Sequence, residues 1–220
     1  MERLQAVIFD LDGVLADTVH YHFLATKKVA DLEGVPFTPE MNEAFQGMSR
    51  KHMIKEIVKE APKTYIESDL DKLAELKNDY YKSYIKRLSS NDILPGMLSF
   101  LNELKEADIP MAIASSSSNA RTVVVRLEIE HFFQIIINAK SIKKMKPDPE
   151  IFLTAADKLK VPYGNCVAIE DSWAGITAIK ATPMFSVGIG ESPAVREADL
   201  HITHTQDLTL KRLRDEFISS

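Results

Sequence analysis

Two carboxylates one residue apart, Asp10 and Asp12, follow the apolar run Ala6-Val7-Ile8-Phe9 and precede Gly13. The run has the length and character of a short strand buried on both faces, as in parallel sheets. Asp10 then falls at the strand's carboxyl end, where open α/β sheets present their ligands. Gly13 lets the chain turn sharply there. A carboxylate so placed can attack a phosphoryl group and form a covalent aspartyl-phosphate, while its neighbour carries protons and both help hold a divalent cation. Taken alone, Asp-x-Asp after a strand reads more simply as a polar turn, because Asp is common in turns.

Three further segments reverse that balance. Met111-Ala112-Ile113-Ala114 is a second apolar strand, followed by Ser115-Ser116-Ser117-Ser118-Asn119 and a helical stretch from Ala120. Strand, hydroxyl-rich loop and helix start together form a cradle of hydroxyl and backbone N–H donors for an oxyanion. Lys146 opens Lys146-Pro147-Asp148-Pro149-Glu150, a proline-stiffened approach to a helix near Ile151. A lysine fixed there can neutralise a bound phosphate and the carboxylate facing it. Finally, the strand Cys166–Ile169 ends in Glu170-Asp171-Ser172, with a helix starting at Ala174-Gly175-Ile176. An acidic pair at a strand end suits Mg²⁺, a hard cation that takes oxygen ligands and keeps several waters.

The elements that must position these groups form a core interrupted by an insertion. After Leu15 the pattern turns helical, with Phe23, Val29, Ala30, Ile54, Ile57, Val58, Leu70, Leu73, Tyr80 and Tyr84 at spacings near three and four, and with Pro36, Pro39 and Pro62 as breaks. From Ile93-Leu94-Pro95-Gly96 onward, strands expected at 111–114, 134–138, 166–169 and 184–188 alternate with helices at 97–107, 120–129, 150–160 and 174–181. That alternation predicts an α/β fold with a Rossmann-like parallel sheet core, 1–15 and 92–220, and an inserted α-helical cap domain, 16–91. Linkers near 15–18 and 88–94 would let the cap open and close.

The chain has 220 residues, 45% of them apolar, and a formal net charge of −5. This is enough for a substantial core, and it argues against a nucleic-acid partner. The single cysteine, Cys166, sits in an apolar strand and reads as a buried reduced thiol. No apolar run reaches the ~20 residues of a membrane span, so the expectation is a cytoplasmic protein without a membrane partner.

In this order and with these spacings the segments resemble the haloacid dehalogenase superfamily of aspartate-nucleophile phosphotransferases over essentially the whole chain. Within it, Asp10–Val14, Asp17-Thr18, His22-Phe23, Gly47-Met48-Ser49-Arg50, Lys77-Asn78 and Ser116–Asn119 look most like the β-phosphoglucomutases. The resemblance implies that Asp10 is the nucleophile and Asp12 the acid/base. It places Mg²⁺ on Asp10, the Asp12 carbonyl and Asp171, with Glu170 ligating or bonding a metal water. Ser115 and Lys146 would bind the transferring phosphoryl oxygens, with Thr18 and His22 at the cap hinge. Gly47, Met48, Ser49, Arg50, Lys77, Ser116, Ser117, Ser118 and Asn119 would contact substrate, Arg50 gripping the phosphate that is not transferred. The implied ligand is a small sugar phosphate handled by a monomer, with glucose 1,6-bisphosphate as intermediate if the enzyme is a mutase. A phosphatase, or a non-catalytic phosphate-binding module, are the alternatives.

Several of these residues have plainer readings from the sequence. Arg50 could be a solvated arginine beside Lys51 and His52, Thr18 a helix N-cap, and Lys77 a solvated helical lysine. A histidine early in a helix, as His20 or His22, is more often packed or exposed than catalytic. Tyr80, Tyr81 and Tyr84 read as helix packing. Trp173 could rim the site or cover the sheet edge. Gln46 and Ser118 depart from relatives that carry basic residues there, which leaves less positive charge for a second phosphate.

Overall fold

The computed structural model describes residues 4–219; residues 1–3 and 220, the ends of the assigned core segments, lie outside the described residues. Six strands form one parallel sheet: β1 Ala6–Phe9, β2 Met111–Ile113, β3 Ile135–Ile136, β4 Cys166–Glu170, β5 Phe185–Ile189 and β6 Leu200–Ile202, in the order β3-β2-β1-β4-β5-β6. The two-residue side-chain period sorts each strand between two apolar layers. Val7 and Phe9 of β1, Met111 and Ile113 of β2, and Val167 and Ile169 of β4 face one layer. Ala6, Ile8, Ala112, Cys166 and Ala168 face the other. Neither face is left for water, which is why these strands carry almost continuous apolar text.

Helices cover both faces. α5 Met97–Glu106, α6 Ala120–Arg126 and α9 Leu210–Ser219 supply Phe100, Leu101, Val123, Val124, Leu213 and Phe217 to the first layer. α7 Glu150–Leu159 and α8 Trp173–Lys180 supply Ile151, Phe152, Ala155, Ala178 and Ile179 to the second. The expected alternation is present, with β3 shorter than the run 134–138 suggested. β6 and α9 were not anticipated from the sequence.

Between β1 and β2 the chain holds α1 Val19–Leu32, α2 Pro39–Phe45, α3 Arg50–Ile57 and α4 Glu67–Ile85. Thr38 caps α2 through its hydroxyl, which accepts from the Met41 N–H, with Pro39 at the first helical position. Ser49 caps α3 in the same way, accepting from the His52 N–H. These helices build two small apolar clusters of their own, one around Val29, Ile54, Leu70 and Leu73 and one around Ala30, Phe37, Met53 and Ile57. Ala25, Tyr81 and Ile85 instead join the main core. The two chain crossings are tied together, the Asp17 N–H donating to the Asp92 carbonyl and the Leu94 N–H to the Leu15 carbonyl, each at 3.0 Å. Among the described residues no helix is long and apolar enough to cross a membrane.

Phe9 shows how packing and chemistry share one strand. It is fully buried and meets Phe100 and Phe133 edge-on at centroid distances of 6.1 and 6.0 Å. Phe9→Ala should cost about 3–5 kcal/mol of folding free energy, read by urea denaturation, because the cavity left between these rings cannot collapse fully.

Candidate active site

The strand order turns at β1, whose neighbours are β2 on one side and β4 on the other. Chains leave β1 and β4 in opposite directions across the sheet, opening a crevice at their carboxyl ends. Phe9 pairs with Ile113 and Ile169, so Asp10, the Ala114-Ser115 step and Glu170-Asp171 all emerge at this edge. The Asp10 N–H donates to the Ile169 carbonyl at 2.9 Å, and the Ala114 N–H to the Phe9 carbonyl at 2.8 Å. The backbone carrying the carboxylates is therefore part of the ladder.

Lys146 is the cation beneath them. Its Nζ donates to Asp10 Oδ1 and to Glu170 Oε1, both at 2.5 Å, and its side chain is wholly inaccessible. Although burial opposes the charge, Asp10 and Glu170 raise the Lys146 pKa, so the ammonium is retained. Glu170 has no free oxygen. Its Oε1 takes Lys146, and its Oε2 accepts from the N–H groups of Asp171 and Ser172 and from the Ser172 hydroxyl. Expected to ligate the cation or bond a metal water, it holds Lys146 and the turn into α8. Burial, only partly offset by Lys146, pushes Asp10 up to about 7. Burial, with Glu170 and Asp10 beside it, raises Asp171 well above the usual carboxylate range. The Asp171 side chain leans over Gly13, at φ +87°, where any Cβ would fall 1.8 Å from its Oδ2.

These groups fit a divalent cation. Asp10 is buried and Asp171 half-buried, and Lys146 with its single positive charge faces Asp10 and Glu170 as well; the Asp12 carbonyl is two residues along the chain from Asp10. Among the described residues no cluster of three or more His, Cys, Asp or Glu side chains has metal-binding spacing. Mg²⁺ needs no such cluster, since one or two carboxylates with several waters satisfy it.

Asp12 faces the helices instead. Its Oδ1 accepts from the Thr18 hydroxyl at 2.5 Å and the Tyr81 hydroxyl at 3.0 Å, and lies 3.2 Å from His22 Nε2. Burial would raise this carboxyl, but His22 and the two hydroxyls outweigh it and hold it well below the usual range. Lys77 Nζ sits 3.0 Å from His22 Nδ1. Burial and Lys77 lower the His22 pKa, which fits a neutral ring accepting from Lys77 and donating through Nε2 to Asp12. Tyr81, expected as helix packing, also stacks on His22 at 4.0 Å between centroids. Its hydroxyl is the feature that sequence reasoning missed.

A cavity of about 80 Å³ lies between the sheet edge and the helices. Asp10, Asp12, His22, Gly47, Met48, Arg50, Lys77, Asp171 and the whole Ser115–Asn119 loop border it, as do Gln46 and the unanticipated Tyr81. Thr18, Lys146 and Glu170 stand behind its walls. Ser49, expected to meet substrate, is turned to the α3 terminus as its cap. Arg50 is half-buried and engaged: it donates to the Ser118 hydroxyl at 2.6 Å, to the Ala74 carbonyl at 3.4 Å and to Glu75 at 3.3 Å. Further bonds across the crevice join Ser116 to the Gly47 carbonyl at 2.6 Å and Asn119 to Asn78 at 2.9 Å.

The sequence model for haloacid dehalogenase-like hydrolases matches residues 4–182. The chain belongs to that family. Among members of the haloacid dehalogenase-like family, it is 43% identical over 216 residues to the β-phosphoglucomutase of Bacillus subtilis, covering 97% of this chain and 96% of that one. It is 31% identical over 180 residues to a phosphorylated carbohydrates phosphatase of Thermotoga maritima, covering 81% of each. The crystal structure of β-phosphoglucomutase from Clostridium difficile superposes with a TM-score of 0.94 at 38% identity, covering 98% of both chains.

Lys77 offers a measurable consequence of this site's electrostatics. Burial and the Arg50 charge lower it from 10.5 to about 7, and it is 3% exposed. Between those pH values the unfolded chain holds a proton that the folded protein has released, so this group makes stability rise with pH across that interval. Lys77→Met should therefore be more stable than the parent at pH 6, and its advantage should shrink by about 2 kcal/mol at pH 9, measured by urea unfolding at both pH values.

Proposed function

We propose that this protein is a Mg²⁺-dependent phosphotransferase working through an aspartyl-phosphate, and that it interconverts β-glucose 1-phosphate and glucose 6-phosphate. The observation that carries this is the division of labour between two carboxylates. Asp10 is gripped by Lys146 at the sheet edge, while Asp12 is held by groups on the inserted helices. A binding module needs no such pair.

Asp10 would attack the phosphorus in line, with Lys146 and Ser115 holding the equatorial oxygens, where transition-state charge accumulates. Asp10, Asp171 and the Asp12 carbonyl would hold the cation, whose chemistry there is charge neutralisation on the transferring group. Asp12 would protonate the leaving oxygen and later deprotonate the acceptor. Its present bonds to Thr18, Tyr81 and His22 favour the ionised form, so it acts as an acid only once substrate rearranges them. Residues 16–91 would act as a cap over a core of 1–15 and 92–220, because the cavity is bordered by side chains of both and is spanned by the bonds from Ser116 to Gly47 and from Asn119 to Asn78. Arg50, with Ser118 and Asn119, would grip the distal phosphate of glucose 1,6-bisphosphate, the intermediate that is released or turned and rebound. The protein would do this as a cytoplasmic monomer.

Water as acceptor would make the same site a sugar-phosphate phosphatase, and the 31% identical relative from Thermotoga maritima carries that activity in its name. Incubation of β- and of α-glucose 1-phosphate with glucose 1,6-bisphosphate, followed for glucose 6-phosphate and free phosphate, separates the two. A mutase gives glucose 6-phosphate from the β anomer with little phosphate release.

Asp10→Asn removes the attacking oxygen at nearly constant shape, so turnover should fall by several orders of magnitude, and acetyl phosphate should leave no acid-labile mass increase on the folded variant. Arg50→Ala should weaken glucose-phosphate isomerisation by about 2–4 kcal/mol of transition-state stabilisation. Phosphoenzyme formation from acetyl phosphate, which has no second phosphate to grip, should be nearly unchanged. A parallel loss in both reactions would place Arg50 on the transferring group instead.

A further inference from the structure

Gln46 has no part in the chemistry described so far, yet its amide Nε2 donates to Asp171 Oδ2. It ends α2, and Gly47 follows at φ +80°. A Cβ at Gly47 would come 2.5 Å from the Ser172 hydroxyl and 3.3 Å from Ala174 Cβ, so glycine lets this turn lie directly on the start of α8. Ser116 clamps the turn by donating to the Gly47 carbonyl. The Gln46 amide is thereby set against Asp171 Oδ2, the carboxylate oxygen that also leans over Gly13.

This contact is a partition. Outside it lie two open grooves of about 540 and 240 Å³, and the residues common to both grooves and to the inner cavity are Gln46 and Asp171. Asp17, Glu40, Glu43 and Glu191 line the grooves, and among the described residues no Lys or Arg does. The inner cavity mixes Arg50 and Lys77 with Asp10 and Asp12. The outer side, lined by carboxylates, is thus the side that draws in a cation.

We propose that Gln46 is a gate for the divalent cation: it occupies Asp171 in the closed protein, and the cation, arriving along the acidic grooves, binds Asp171 by displacing the Gln46 amide. An amide N–H and a cation compete for the same carboxylate lone pairs, so the closed, empty protein resists the cation. Because Gln46 rides on the inserted helices and Asp171 on the sheet, displacement also removes one of the bonds holding the helices down. This gate rests on the assignment of Asp171 as a cation ligand made above.

Mn²⁺ binding to the full-length protein, read as free Mn²⁺ by electron paramagnetic resonance, tests it without any turnover. Gln46→Ala should tighten Mn²⁺ about tenfold, the scale of a hydrogen bond to a charged group. Gln46→Met, which keeps the side-chain length but has no donor, should tighten it similarly. Trp173 borders the outer groove beside Asp171 and is half exposed, so its fluorescence in stopped flow should report faster Mn²⁺ arrival in both variants. Unchanged or weaker binding in Gln46→Ala overturns the gate, and so does a Gln46→Met variant that behaves like the parent. Asp171→Asn separates the two ideas. If it weakens Mn²⁺ while the Gln46 variants match the parent, only the gate fails; if it leaves Mn²⁺ binding intact, the ligand assignment fails and the gate with it.

Discussion

A buried ammonium between two buried carboxylates is the interaction on which the rest of this molecule depends. Moving Lys146, Asp10 or Glu170 into the interior alone would cost several kcal/mol per charge, and removing any one strands the others. The fold therefore has to deliver all three to one point with hydrogen-bonding geometry. β1 delivers Asp10, β4 delivers Glu170, and the proline-flanked approach to α7 delivers Lys146. Glu170 then uses its other oxygen to fix the backbone of Asp171 and Ser172. One network thus sets the nucleophile, its cation and the first turn of α8 together. Asp171 lies outside that pairing and takes the Gln46 amide instead.

Asp12 belongs to a different mechanical unit. Its partners Thr18, His22 and Tyr81 sit on or beside α1 and α4, so Asp12 is oriented by helices and Asp10 by the sheet. Any relative movement of the two layers changes the distance between the two carboxylates. Under the proposed mechanism, proton transfer and access to the cavity are in this way linked by geometry.

Much of this was legible in the sequence because parallel strands end abruptly in polar residues. Asp10 and Ser115 close apolar runs and Asp171 follows one after Glu170, and three such short runs recurring among helical stretches point to one edge of a parallel sheet. The helical insertion was legible from its spacing. Tyr81 was not, since Tyr80, Tyr81 and Tyr84 share one composition and only the azimuth of α4 decides which hydroxyl meets Asp12. The employment of Glu170 was hidden for a similar reason, because adjacent acids on a turn cannot be told apart without the position of Lys146. Ser49 caps α3, a role its place before a helical pattern suggests. β6 is hard to see because three residues with His201 at the centre carry little strand signal. α9 carries a helical spacing in Leu210, Leu213 and Phe217.

The two layers against the sheet differ in grain. One is filled by Val7, Phe9, Ile113, Val167 and Ile169, whereas the other relies on Ala6, Ala112 and Ala168, with Ala155 and Ala156 of α7 opposite them. Small side chains on both sides bring α7 close to the sheet, and close packing of that kind has no slack for an added methyl. α7 begins a few residues after Lys146, so an enlargement at any of these alanines pushes the ammonium away from Asp10 and Glu170. Mutational tolerance should therefore be lopsided. Substitutions on the coarse-grained face register as lost stability, while those on the alanine face register as lost catalysis from positions that never touch substrate.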